Sequence, residues 1–183
     1  MSAKLLAIYT SSSGQCESRY LNVRKIRRRA MIKPEDLRRG NLVRVNHDCT
    51  FPKGAMCVVT DINPLKVFDD KKGVVTLYAI NDEDDGPWGV WCNYVEGIPV
   101  TPEILNKNGF KEEVVGEYYT KPLDNEEYSL ARFLAVERKS CNWAVFIKYC
   151  SLPDHVLIRH IQHVHELQNT LWGVLGFDAK LKL

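Results

Sequence analysis

Between Ile32 and Tyr94, turn-forming residues recur at short intervals: Gly40, Pro52-Lys53-Gly54, Asn63-Pro64, Lys71-Lys72-Gly73 and the acidic run "NDEDDG" at 81–86. The runs between them are short and rich in β-branched residues, the composition of strands bounded by turns. "IKPEDLRRGNLVRVN" predicts a turn or short helical element at Pro34 to Arg39, stopped by Gly40, then a strand at Leu42 to Val45 in which apolar and polar residues alternate. Further strands are expected at Ala55 to Ile62, Val74 to Ile80 and Trp88 to Tyr94. Four such strands predict a small curled antiparallel sheet of SH3-like kind.

The pattern changes after Ile98. In "IPVTPEILNKNGF", Thr101 can cap a helix, Pro102 suits its first position, Glu103 favours the positive end, and Asn108-Gly109 ends it. Three strand-like segments follow, Glu113 to Tyr119, Tyr128 to Glu137 and Asn142 to Tyr149, and predict an antiparallel meander. A helix is expected from about Ile161 to Leu175, stopped by Gly176. The predicted class is α+β: an SH3-like β-module at 31–98, then helix, three-stranded meander and C-terminal helix at 99–183, the two parts sharing one core.

Residues 1–30 stand apart. They lack helical or strand periodicity and carry the polar run Ser11-Ser12-Ser13-Gly14. Up to Met31 there are seven Lys and Arg against Glu17 alone; since the whole chain is only +2, the remainder is net acidic. The expectation is a loose basic extension, or a start at Met31, where globular patterning begins. A basic arm can exchange counterions on phosphate, so Arg24, Lys25, Arg27, Arg28 and Arg29, with Arg38 and Arg39 beyond, are the candidate nucleic-acid contacts.

Several classes are disfavoured. No run approaches the roughly 20 apolar residues of a membrane span, and Leu5 to Tyr9 is too short for a signal-peptide core, so a cytoplasmic protein is expected. The six cysteines contain no Cys-x-x-Cys pair, which suggests reduced structural thiols without a zinc ribbon or redox motif. The acidic 81–86 run lacks the alternate spacing and terminal Glu of a calcium loop. No glycine-rich phosphate loop follows a strand. No cofactor is implied.

Two stretches are candidate binding surfaces. "GPWGVWCNYVEG" places Trp88 and Tyr94 on one face of a strand and Trp91 on the other, giving one core side and one platform able to stack a flat ring. "HIQHVHELQN" holds three of the five histidines. On a helix begun at Ile161, Ile161, Val164, Gln168, Leu171, Trp172 and Leu175 share a core-facing stripe. His160, His163 and His165 then leave in different directions, and no metal site is expected. His165 and Gln168 are polar members of that stripe, either clamps to a neighbouring strand or linings of a pocket.

Three phrases, "IKPEDLRRGNLV", "GIPVTPEILNKNGF" and "HVHELQNTLWGVLGF", resemble a family of small uncharacterised proteins encoded by gut anaerobes and their phages or integrated mobile elements. Its members carry "lRiGNlV", "IpLTeeiLlkcGF" and "yVHqLQNlyfaLtG". The likeness spans residues 31 to 178 and agrees with a start at Met31. It implies an accessory protein of a phage or mobile element and brings no catalytic residues. Thr170-Leu171-Trp172-Gly173 departs from the aromatic-rich ending of the family phrase.

Three functions remain open at this level. The first is a non-enzymatic protein that binds a host protein or a small ligand where Trp88, Trp91 and Tyr94 approach His165 and Gln168. The second is a nucleic-acid-binding protein using the basic arm. The third is an enzyme using His160, His163 or His165 as acid, base or ligand.

Overall fold

The computed structural model describes residues 32–69, 71–80, 87–123, 132–140, 142–149, 155–176 and 180–183. The basic arm, the acidic 81–86 run and Cys16, Cys141 and Cys150 lie outside them.

Ten strands and two α-helices make up the described chain: β1 Leu42–Val45, β2 Met56–Phe68, β3 Lys71–Ala79, β4 Trp88–Trp91, β5 Val95–Gly97, α1 Pro102–Lys107, β6 Lys111–Val114, β7 Tyr118–Pro122, β8 Arg132–Lys139, β9 Asn142–Tyr149, β10 His155–Ile161 and α2 Val164–Leu175. They form two five-stranded antiparallel sheets, ordered β4-β3-β2-β1-β5 and β10-β9-β8-β7-β6. The α+β expectation is therefore corrected. The protein is mainly β, its first sheet has five strands instead of four, and the second is five-stranded where a three-stranded meander was predicted.

Local chemistry explains each correction. The segment Glu113 to Tyr119 was read as one strand, but it folds into the β6–β7 hairpin around Gly116 at φ +68°, a left-handed conformation glycine adopts freely. Glu112 Oε1 closes that turn by accepting from Gly116 N and from the Tyr119 hydroxyl, both at 2.6 Å. Residues His155 to Ile161 pair with β9 as an edge strand, so α2 begins three residues later than its apolar pattern suggests. Asn63-Pro64 does not end β2, because the β2–β3 register shifts between Asn63 and Val67, and a bulge tolerates the missing proline donor. Lys71 and Lys72, expected in a turn, belong to β3.

Strand alternation divides the described interior into two large cores and a small third cluster of Ala135, Ala144 and Phe146. Val43, Val45, Cys57, Val59, Val75, Leu77 and Val90 point into the first sheet's own curl. Leu42, on the other face of β1, joins Ile104, Leu105, Phe110, Leu134, Val136, Trp143, Val145, Val164, Leu167 and Leu171 between the helices and the second sheet. Met56 and Val58 pack against this second core while Cys57 and Val59 serve the first. Each fully buried Leu or Val stabilises its core by about 1.5–3 kcal/mol.

The chain after β5 couples the sheets to α2. Val100 N donates to Gln162 O at 3.0 Å and Val164 N to Ile98 O at 2.8 Å, around a bridge between Pro99 and His163. Thr101 Oγ1 accepts from Ile104 N at 3.4 Å and caps α1. Gly176, at φ +75°, ends α2. No helix among the described residues is long and apolar enough to cross a membrane.

Candidate functional site

The Leu167-Gln168-Asn169 segment of α2 lies on the Arg38–Leu42 loop. Gln168 Oε1 accepts from the buried Leu42 N at 2.8 Å and its Nε2 donates to Gly40 O at 2.9 Å. Asn169 accepts from Asn41 Nδ2 at 3.0 Å and donates to Asp36 O at 2.8 Å. The Arg38 guanidinium lies 3.5 Å above the Trp172 ring, an arrangement in which charge and quadrupole attract. Two separated sequence phrases thus dock as one polar seam. Gln168 thus clamps α2 to this loop, and with Gly40 and Leu42 it also borders a cavity.

That cavity has a volume of about 590 Å³. Leu42, Met56, Val58, Ile80, Leu181 and Leu183 give it an apolar lining, with Gln168 inside and Lys180 and Lys182 along segment 180–183. The segment is held in place from α1: Lys182 N donates to Asn108 Oδ1 at 2.7 Å, Asn108 Nδ2 to Lys182 O at 2.8 Å, and Lys107 Nζ to Leu183 O at 2.9 Å. A second cavity of about 500 Å³, bounded by Leu123, Leu171 and Leu175, lies on the same segment. The segment is a thin wall with space on two sides. Sequence reading missed this site because no motif marks it; the signal is the outer-face pair Met56 and Val58, apolar on both sides of a strand that faces water in an isolated sheet.

The aromatic candidates sit elsewhere. Trp88 and Trp91 are on β4, an edge strand three positions from β1, where Gln168 docks. Tyr94 leaves the strand in a 3-10 turn at Cys92–Tyr94, so it does not share a strand face with Trp88. Its ring lies 4.9 Å from His47, with Lys71 Nζ 5.3 Å away. Trp91 stacks on Phe68 at 6.4 Å, beside the exposed Leu65 and Val67 of the β2–β3 hairpin. Trp88 and Trp91 thus lie on a different strand of the first sheet from the one on which Gln168 docks.

Arg24, Lys25, Arg27, Arg28 and Arg29 lie outside the described residues. Arg38 is engaged by Trp172, and Arg39 pairs with Asp61 at 2.7 Å on the surface.

The histidines converge differently from the helical projection. His160 is on β10. His163 caps α2 in an extended conformation (φ −125°, ψ 157°), which turns its ring back beside His165; their centroids are 5.6 Å apart. Its seat requires Gly97, where a Cβ would fall 2.3 Å from His163 Cγ. Glu166 Oε2 accepts from Gln162 N at 2.6 Å and His163 N at 2.9 Å and stands 3.5 Å from His163 Nδ1. Burial would raise the Glu166 carboxyl, but hydrogen bonds from His163 and from the Gln162 and His163 backbone hold it down at about 2. Burial pulls His165 down to about 4 against the opposing charge of Glu166, so the imidazole is neutral at pH 7. Its Nδ1 is buried with no hydrogen-bond partner among the described residues.

Comparison with protein-family models, curated proteins and solved structures finds no match to the chain.

Proposed function

We propose that the protein is a cytoplasmic, non-enzymatic accessory protein of a phage or mobile element that acts by binding a small ligand in the cavity beside Gln168. One observation carries this reading: the cavity of about 590 Å³ has the size and the largely apolar lining, with few polar groups, of small-molecule sites. Its ligand has an apolar body, matched to Leu42, Met56, Val58 and Ile80, and an anionic end, matched to Lys180 and Lys182. Gln168 is spent on the backbone of Gly40 and Leu42, so it shapes the wall more than it reads the ligand. The resemblance to the phage and mobile-element family supplies the biological context and leaves the ligand's identity to experiment.

The test is native mass spectrometry of gently purified protein, followed by thermal-shift titration with medium-chain and aromatic carboxylates. The expected result is a stoichiometric small-molecule adduct, or a dose-dependent rise in Tm, that a Val58→Trp substitution abolishes. No adduct and no shift across the carboxylates would sink the reading. So would an unchanged response in the filled-cavity variant.

A further inference from the structure

We propose that His163, His165 and Glu166 form a three-ligand site for a divalent transition metal, with Zn²⁺ the best match, at the start of α2. One donor atom from each lies within 4.8 Å of the other two. The His163 Nδ1 to Glu166 Oε2 separation of 3.5 Å is close to the edge of a tetrahedron whose metal–ligand bonds are about 2.0–2.2 Å. The remaining donor pairs, within 4.8 Å of one another, close onto one ion as the side chains rotate.

The second, independent observation is His165 itself. It is 3% exposed, and its Nδ1 has no hydrogen-bond partner among the described residues. Buried imidazole nitrogens are ordinarily satisfied, and an unpartnered one can take a cation in its neutral, unprotonated form. The supporting shell is already built. The backbone N–H groups of Gln162 and His163 orient the Glu166 carboxylate, and the bare Cα of Gly97 makes room for the His163 ring.

Two imidazoles and one carboxylate match zinc's borderline preference better than the all-oxygen shell of Mg²⁺ or Ca²⁺. The positive end of α2 opposes a cation, but the Glu166 carboxylate sits at that end and offsets it. The His163 and Glu166 side chains are 26% and 24% exposed, so a fourth position is open to water or to a donor from a ligand. The chain's other described histidines, His47, His155 and His160, are outside this cluster.

This site is independent of the cavity reading, because its test uses the metal alone. Protein stripped with a chelator is titrated with Zn²⁺ by calorimetry, and with Co²⁺ as a visible-absorption probe of geometry. Wild type is expected to take up one equivalent, with Co²⁺ giving a tetrahedral or five-coordinate spectrum. Glu166→Gln keeps a side-chain acceptor for the cap and removes the charged ligand. His163→Asn keeps a good N-cap residue and removes the imidazole. Each is expected to fold, by circular dichroism, and to lose metal affinity by at least about tenfold. His47→Ala should bind as wild type does. No saturable uptake by wild type, or undiminished affinity in both folded ligand variants, would overturn the site.

Discussion

Gln168 completes both halves of a hydrogen-bonded clamp on the backbone flanking Asn41: it accepts from Leu42 N at 2.8 Å and donates to Gly40 O at 2.9 Å. The two partners are unequal. Leu42 N is buried at the start of β1, whereas Gly40 is exposed and water can reach its carbonyl. Gln168→Leu should therefore destabilise the fold by about 1–3 kcal/mol, mostly through the orphaned Leu42 N–H. Asn169→Ala removes an exposed bond to Asp36 O and a partly buried one from Asn41 Nδ2, and should cost about 1 kcal/mol. Urea denaturation of the two variants measures the difference; equal losses would mean that burial of Leu42 N adds nothing to the cost.

The same residue shows what a sequence can and cannot disclose. Helical spacing placed Gln168 on the core-facing stripe, and its burial follows from that. Its partners, some 126 residues away, follow only from how α2 lies across β1. The strand at Leu42 to Val45 and the Thr101-capped helix were legible because alternation and capping are local signals. The second sheet was under-read for two specific reasons. Gly116 breaks an apparently continuous run, and Val156 to Ile158 reads as a short apolar stretch, too brief to mark the edge strand that runs on to Ile161. A helix begun at Ile161 also disperses the histidines, because an imidazole at an N-cap points differently from one inside a helix. Trp88 and Trp91 were correctly placed in a strand, but no local signal says which edge of the sheet that strand occupies.

Gly97 and His163 make a second prediction. Gly97 lies on β5 opposite Val43, and an added Cβ would meet Cγ, Cδ2 and Cβ of His163 at 2.3–2.7 Å. These atoms are close to the backbone, so rotation about χ2 does not relieve the clash. Gly97→Ala should displace the N-cap residue of α2 and destabilise the protein by about 1–3 kcal/mol. Thermal unfolding checks the loss, and a wild-type Tm would show that the cap moves freely.

In protein kept metal-free with a chelator, acid should weaken the fold in two stages. His165 titrates at about 4 when folded against an ordinary 6.5 for histidine, so between those values the unfolded chain binds more protons. The contribution is complete above pH 6.5 and is lost as the pH falls toward 4, to about 3 kcal/mol at most. Glu166, held at about 2 against 4.5, adds a second loss below pH 4.5. Denaturation midpoints across pH 3 to 8 should be flat above about 6.5 and fall below it. In His165→Gln the loss between 6.5 and 4.5 should shrink; an unchanged profile would assign that step to another group.

Thiol chemistry provides a last test, on the first core. Cys92 Sγ sits against Pro34 and the bare Cα of Gly73, where an added Cβ would lie 3.2 Å from the sulfur. Burial, then the nearby charge of Glu35, pushes its pKa up to about 11. At pH 8 only about one molecule in a thousand then carries the thiolate that reacts with disulfide reagents. Cys57 is also buried, whereas Cys49 is exposed. Peptide mapping after brief alkylation of the native protein should find Cys49 modified and Cys57 and Cys92 protected, with all three modified in denaturant. Gly73→Ala, whose Cβ would fall 2.3 Å from Pro34 Cγ and 3.2 Å from Cys92 Sγ, should disturb this packing and accelerate Cys92 modification. Rapid native labelling of Cys92 in the wild type would contradict both its burial and its raised pKa.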